Sequence, residues 1–273
     1  MKKIKLKELI IEEAKKKNLH FNQMLMAVAY ERAITRLVQN KNLSDSVIFK
    51  GGVVMRVVYG SDRFTKDLDA SYEKISEENL KAEVSKSLTM NLEDQFEFMI
   101  GTWSSITDEQ DYEGLRYSVD FKFEGSTIQA LQFDFTVSEF TGSGVKIALD
   151  SEIYAIDVTA KVYSPEMILA EKIQTVVARG SSNTRAKDFY DINLLLRGSI
   201  DDGRFKTLVD RVFKVRETRQ PKSFSELSGL DTKNLENSWL GYKSKLNGLE
   251  FKDVWLEFVS NLETLDQKLS KSQ

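Results

Sequence analysis

The chain has 273 residues, 39 basic and 42 acidic side chains, a formal net charge of −3 and an apolar fraction of 41%. That is enough for one large domain or two modest ones with a full core, and the negative balance leaves no global basic field for nucleic acid, only room for a local patch. The absence of cysteine excludes disulfides, thiolate metal sites and cysteine nucleophiles, and the single histidine, His20, excludes a multi-histidine metal site.

A general base in this chain, if there is one, is therefore a carboxylate. No apolar run reaches membrane-spanning length. The opening MKKIKLKELI lacks the apolar core and small-residue cleavage site of a secretory signal, so the expected location is cytoplasmic, with no membrane partner. Two prolines, Pro165 and Pro221, argue against long disordered linkers.

Lys5 to Lys17 reads as a helix with Leu6, Leu9, Ile10 and Ala14 on one face. His20 follows in a polar, lysine-rich stretch and reads as a surface residue. Phe21 to Val38 is a second helix, with Leu25, Val28, Ala29, Ala33 and Leu37 inward and Glu31, Arg32 and Arg36 outward on a solvated face. Asn40 to Ser46 is a turn, and Val47 to Phe49 a short buried strand.

The chain is organised around Lys50 to Tyr72, KGGVVMRVVYGSDRFTKDLDASY, which reads as turn, helix, loop, strand. Gly51 and Gly52 allow close approach of backbone to a ligand, and unpaired N–H groups at a helix start favour an anion. Residues two apart on a strand share a face, so Asp67 and Asp69 project together with Leu68 turned into the core. Adjacent carboxylates repel, and a divalent cation with a taste for oxygen relieves them. Mg²⁺ is such an ion, and it also bridges substrate phosphates. The stretch thus reads as a phosphate cradle facing a metal-binding pair, with Arg63 between.

Ser76 caps a helix running to about Leu92, with Glu77 and Glu78 in its first turn. Phe96 to Ile106 and Leu115 to Phe123 read as strands joined by a polar hairpin loop over Thr107 to Gly114. Ile128 to Val137 is the next strand. Gln129, Leu131, Phe133, Phe135 and Val137 line one face, and Ala130, Gln132, Asp134 and Thr136 the other. Asp134 is either a half-exposed strand residue or a functional carboxylate, as a third metal ligand or a base. Glu152 to Val158 is a further short strand.

Ser164-Pro165-Glu166 starts a helix, with Ile168, Leu169, Ile173, Val176 and Val177 on its apolar stripe, ending at Arg179-Gly180. Lys172 beside that stripe either snorkels or points its ammonium at a triphosphate. After the polar loop 181–186, Lys187 to Asp191 opens another helix. Asp188 is either an acid favoured by the helix dipole or a partner of Lys172 or Arg185 in a cleft. Beyond Gly198 the pattern is helical over Asp202 to Val215, Leu235 to Leu246 and Phe251 to Leu269. The last carries Phe251, Val254, Trp255, Phe258, Leu262 and Leu265 as a core stripe.

The segments KGGVVMRVVYG-SDRFTKDLDAS, FDF, AEKIQTVVARG and RAKDFYDI resemble, in this order, the AbiEii/AbiGii-type toxins. These are nucleotidyltransferases of toxin–antitoxin and abortive-infection, phage-defence systems. The resemblance covers about Phe21 to Arg197, and the tail only in its helical character. It implies an α+β fold: a polymerase-β-like core, a mixed sheet with flanking helices, over residues 1–163, and a helical C-terminal domain over 164–273 contributing to the active cleft. Members transfer a nucleotide from an NTP or bind GTP, and some modify tRNA acceptor ends.

The family's first motif falls on Gly51, Gly52, Arg63, Thr65, Asp67 and Asp69. Its strand carboxylate falls on Asp134, its lysine on Lys172, and its closing motif on Arg185, Asp188 and Asp191. Gly51-Gly52 departs from the Gly-Ser of the wider superfamily, which leaves phosphate grip to backbone N–H groups, Arg63 and Lys172. The resemblance implies Mg²⁺ (or Mn²⁺) on Asp67, Asp69 and Asp134, the triphosphate on Lys172, Arg63, Thr65 and Arg185, a tRNA 3′ end as acceptor, and a cognate antitoxin. Lys161, Lys172, Arg179, Arg185 and Lys187 would supply a local basic rim for RNA. The alternatives are a nucleotidyltransferase acting on a small molecule and a nucleotide-binding interaction module without turnover.

Overall fold

Period-two patterning in the first half of the chain becomes a sheet, and the long period-3.6 stretches become helices around it and after it. The computed structural model describes residues 5–62, 65, 67–107, 113–140, 144–149, 151, 153–154, 158–243, 246 and 248–271. Arg63, most of the 107–114 loop and much of 152–157 therefore lie outside the described residues. The chain divides into two compact units, Met1–Tyr163 and Ser164–Gln273.

The first unit contains α1 (Leu6–Lys16), α2 (Phe21–Gln39), α3 (Lys41–Ser44), β1 (Val47–Lys50), α4 (Gly51–Val57), β2 (Asp67–Tyr72), α5 (Glu77–Leu88), β3 (Phe96–Phe98), β4 (Thr102–Thr107), β5 (Glu113–Phe123), β6 (Ser126–Val137), β7 (Gly144–Leu149) and β8 (Val158–Tyr163). Among the described residues these strands form one mixed sheet in the order β3-β5-β6-β2-β1-β8-β7, with β4 pairing β5 beside β3. The central pair β2 and β6 is parallel, β1 runs antiparallel to β2, and β5 runs antiparallel to β6.

Alternation sorts the two faces of this sheet. Leu68, Ala70, Leu115, Tyr117, Val119, Leu131, Phe133 and Phe135 are buried on one face. Tyr30 of α2 stacks edge-on against Phe133 at 5.8 Å, and Trp103 of β4 packs on Tyr117 at 4.6 Å. Burying such aromatic side chains stabilises by roughly 1.5–3 kcal/mol each, which fixes the register of the strands that carry them. The opposite face is polar and carries the candidate site.

Several elements differ from the sequence pattern. Residues 41–44 close into a short helix capped by Asn40, whose side chain accepts from the Asn42 N–H. Helix α5 stops at Leu88, four residues early. The stretch 96–106 breaks into two strands because Gly101 presses against β5. A Cβ at Gly101 would stand 2.4 Å from the Ser118 carbonyl. Strand β7 lies where the sequence pattern gives no strand, most of the strand expected at 152–158 lies outside the described residues, and β8 begins at Val158.

Arg32 and Arg36 are the main correction. They are 1% and 0% exposed rather than on a solvated face. Asp94, two residues before the start of β3, accepts from Arg32 Nε at 2.7 Å and from both terminal nitrogens of Arg36 at 2.8 Å. The guanidinium of Arg32 lies over the Tyr154 ring at 4.3 Å and that of Arg36 over Phe98 at 4.8 Å. A carboxylate 58 residues away from Arg36 turns an apparently outer helix face into an inner one.

The second unit contains α6 (Pro165–Arg179), α7 (Ala186–Arg197), α8 (Asp202–Val215), α9 (Lys233–Lys243) and α10 (Phe251–Lys271), with short 3-10 turns at Gly180–Ser182 and Phe224–Gly229. Ser164 caps α6 by accepting from the Met167 N–H, with Pro165 at the first helical position. The core gathers on Phe189, which meets Phe258 at 4.7 Å and Trp255 at 5.7 Å. Asn193 of α7 donates to the Val254 carbonyl of α10 at 2.8 Å and so pins the two helices.

Candidate active site

Pairing across the sheet brings together acids that are far apart in the chain. Asp69 of β2 is the register partner of Asp134 of β6, and Asp67 is the partner of Gln132. Side chains opposite one another in a ladder share a face, so Asp67, Asp69 and Asp134 project from the polar face together. The same row continues to both sides: Lys50 of β1 is opposite Asp69, and Arg116 of β5 is opposite Asp134. Four adjacent strands thus carry Lys50, Asp69, Asp134 and Arg116 in line, with two cations bracketing two acids.

Each charge has a defined setting. Arg116 grips Asp134 in a bidentate pair, with Nε and Nη2 each 2.7 Å from a carboxylate oxygen. Lys50 Nζ donates to Thr136 Oγ1 at 3.2 Å and lies 5.5 Å from the centre of the Tyr163 ring. Thr65 Oγ1 donates to Asp67 Oδ1 at 2.8 Å. Gly51 has φ +71°, and a Cβ added there would lie 1.9 Å from Asp69 Oδ2. The glycine turn is therefore what lets the Asp69 carboxylate lie flat against the backbone at the start of α4.

The summed negative charge reaches its neighbours. Hydrogen bonds from Arg116 to Asp134, reinforced by the charges of Asp134, Asp67 and Asp69, hold the Arg116 guanidinium more firmly protonated than usual. Burial pushes the Tyr30 hydroxyl well above the usual phenol range. Its bond to the Gln132 backbone opposes this, and the charges of Asp67, Asp134 and Asp69 add to it. Tyr30 is accordingly a neutral hydroxyl behind the acids, anchoring α2 to the Gln132 backbone.

The donor set suits a hard cation. Asp67 and Asp69 offer oxygen alone, and Mg²⁺ is ordinarily held by one or two carboxylates together with substrate phosphates. Among the described residues no group of three or more acidic or histidine side chains stands close enough to hold a metal without further ligands. Asp134, expected as the third ligand, is engaged with Arg116.

The second unit gathers Lys172, Arg185, Asp188 and Asp191 into one cluster around two buried acids. Lys172 of α6 places its ammonium 2.7 Å from Asp188 and 2.8 Å from Asp191, both fully buried on α7. Arg185 Nε meets the other Asp188 oxygen at 2.6 Å. Burial pushes the Asp188 carboxyl up, but the charges of Lys172 and Arg185 and the bonds they donate more than reverse this and hold it well below the usual range. Two cations and two anions balance here, as they do in the row on the sheet.

The expected basic rim is partly spent. Lys161 of β8 donates to Glu73 at 2.7 Å, and the Lys172 charge is taken by its two aspartates. Sequence reasoning missed Lys50 and Arg116. Both sit on the polar side of apolar alternations, and only the strand order shows that they belong with the acids.

A family model described as "Nucleotidyl transferase AbiEii toxin, Type IV TA system" matches residues 32–269. A putative nucleotidyltransferase from H. pylori superposes with a TM-score of 0.58 at 19% identity, over 91% of this chain and 97% of that one. MenT4, a nucleotidyltransferase toxin from Mycobacterium tuberculosis, superposes with a TM-score of 0.58 at 16% identity, over 96% of this chain and 98% of that one. No curated protein sequence matches. At these identities the two structures establish a shared fold, an α+β nucleotidyltransferase fold with a helical C-terminal part.

Proposed function

Because the chain belongs to the AbiEii nucleotidyltransferase toxin family of type IV toxin–antitoxin systems, we propose that it acts as a toxin by transferring a nucleotide from an NTP to RNA, at the 3′ end of tRNA, with Mg²⁺. The acceptor 3′-hydroxyl would attack the α-phosphorus in line and pyrophosphate would leave. A bound Mg²⁺ supplies charge neutralisation and orientation at the phosphates. Asp67 and Asp69 would hold it, with Thr65 fixing the Asp67 carboxylate.

The backbone at Gly51 and Gly52 would approach the phosphates. Asp134 would take the hydroxyl proton or add a carboxylate to the metal. Lys172 and Arg185 would bear on the triphosphate, with Asp188 and Asp191 fixing the ammonium of Lys172. We propose the same phosphate-binding role for Arg63. A cognate antitoxin is the expected partner. No helix among the described residues is long and apolar enough to cross a membrane.

The observation that carries this is the register placing Asp67, Asp69 and Asp134 on one face of paired strands. The test is purified protein with each labelled NTP, Mg²⁺ and bulk tRNA. Label is expected in tRNA, reduced at least a hundredfold by Asp67→Asn with the fold intact by circular dichroism. A folded, fully active Asp67→Asn enzyme would refute the assignment.

A second reading, transfer to a small molecule, is favoured by the net charge of −3 and by the carboxylates that neutralise Lys161 and Lys172. Label in a small-molecule fraction but not in RNA would select it. Mg²⁺-dependent NTP binding without any turnover would select a binding module instead.

A further inference from the structure

The proposed metal carboxylates share their strand row with a guanidinium that occupies one of them. Resting on the reading that Asp67 and Asp69 take the metal, we infer that Arg116 is a built-in counter-ion for Asp134: it keeps that carboxylate out of the metal's coordination in the nucleotide-free protein, and Asp134 joins only when Arg116 lets go. Both Asp134 oxygens are engaged at 2.7 Å. Planar two-point pairs of this kind are among the stronger side-chain contacts. A divalent ion on the same oxygens would stand beside a fixed positive charge.

The surroundings allow an exchange. The Arg116 side chain is 34% exposed and that of Asp134 is 14% exposed, so the guanidinium has solvent on one side to swing into. The competing charge that would draw it there is an anionic one, as a triphosphate is. Like carboxylates directly opposite one another destabilise a sheet, and the Asp69–Asp134 pair is such a case. Arg116 and Lys50, one strand out on either side, let the row form before any metal arrives. Arg116 is thus a positioning residue for the transfer reaction. A purely structural role would make its loss weaken metal binding, whereas counter-ion duty makes its loss strengthen it.

The experiment is Mn²⁺ binding to the full chain without nucleotide, read by the loss of free Mn²⁺ signal in electron paramagnetic resonance. Arg116→Gln is expected to bind Mn²⁺ about tenfold more tightly than wild type, Arg116→Lys to fall between them, and Arg116→Gln/Asp134→Asn to return to the wild-type value. Asp134→Asn alone is expected within twofold of wild type. Lys50→Gln removes the same charge from a residue bonded to Thr136 rather than Asp134, and is expected to change the affinity less than threefold.

No gain in Arg116→Gln, a tenfold loss in Asp134→Asn alone, or an equal gain in Lys50→Gln would each overturn the inference. Asp67→Asn separates the two levels. It should abolish Mn²⁺ binding, and if it does not, the metal reading itself has failed and the inference falls with it.

Discussion

Gly51 shows how one residue type can fix a site. Its φ of +71° lies in the left-handed region, which costs a non-glycine residue about 1–2 kcal/mol. A methyl group there also runs into the Asp69 carboxylate at 1.9 Å. Gly51→Ala should therefore lower stability by more than the backbone cost alone, and should cut transfer further than its stability loss explains. Urea denaturation of Gly51→Ala in the Asp69→Ala background checks this, because with the obstructing carboxylate gone the cost should shrink to about 1–2 kcal/mol.

At the same scale, the shared face of Asp67 and Asp69, and the placing of Asp134 on the face away from Phe133 and Phe135, were legible because strand alternation is local. The Arg116–Asp134 pair was not. The hairpin turn between β5 and β6 is a tight one, with φ 50° at Glu124 and 78° at Gly125. Counting outward from it in plain register sets Arg116 opposite Phe133. An irregularity between Val119 and Phe121 shifts the ladder by one and sets Arg116 opposite Asp134. One uncounted residue on a strand thus decides whether a guanidinium meets a ring or a carboxylate.

Helix boundaries followed from local chemistry. The Ser164-Pro165 start of α6, the Ser76 cap of α5 and the whole of α8 agree with the pattern because capping is a contact between near neighbours. Helix faces depended on distant partners. Asp94 makes the Arg32 and Arg36 side of α2 an interior one. Burial pushes the Asp94 carboxyl up, and hydrogen bonds from Arg36 and Arg32 bring it below its ordinary value. Asp94→Ala would strand two guanidinium groups in the interior. Its expected cost is about 3–5 kcal/mol, measurable as a lowered urea midpoint with unchanged slope. Strands β7 and β8 escaped local reading for the same reason: their strand character comes from pairing with each other and with β1.

For the whole molecule, the depressed carboxyls set how stability varies with acidity. Asp94 lies in the first unit and Asp188 in the second, and both are held below their ordinary values. A group whose folded pKa is lowered binds its proton more readily when unfolded. Its contribution is therefore full above the unfolded value of about 3.9 and is lost as pH falls toward the folded one. Denaturant titrations stepped from pH 7 to pH 3 should show a level stretch down to about pH 5 and a decline below about pH 4. A decline centred near neutrality would contradict these settings.

The strand order also imposes a timetable on synthesis. Lys50, Asp69, Arg116 and Asp134 line up only when β6 lies parallel to β2 with β5 alongside, and β6 ends at Val137. A ribosome that has made the glycine turn and the Asp-x-Asp strand has therefore made only Lys50 and Asp69 of that row. Parallel pairing across so long a stretch of sequence closes late and slowly. The row of charges cannot assemble before Val137 has been translated.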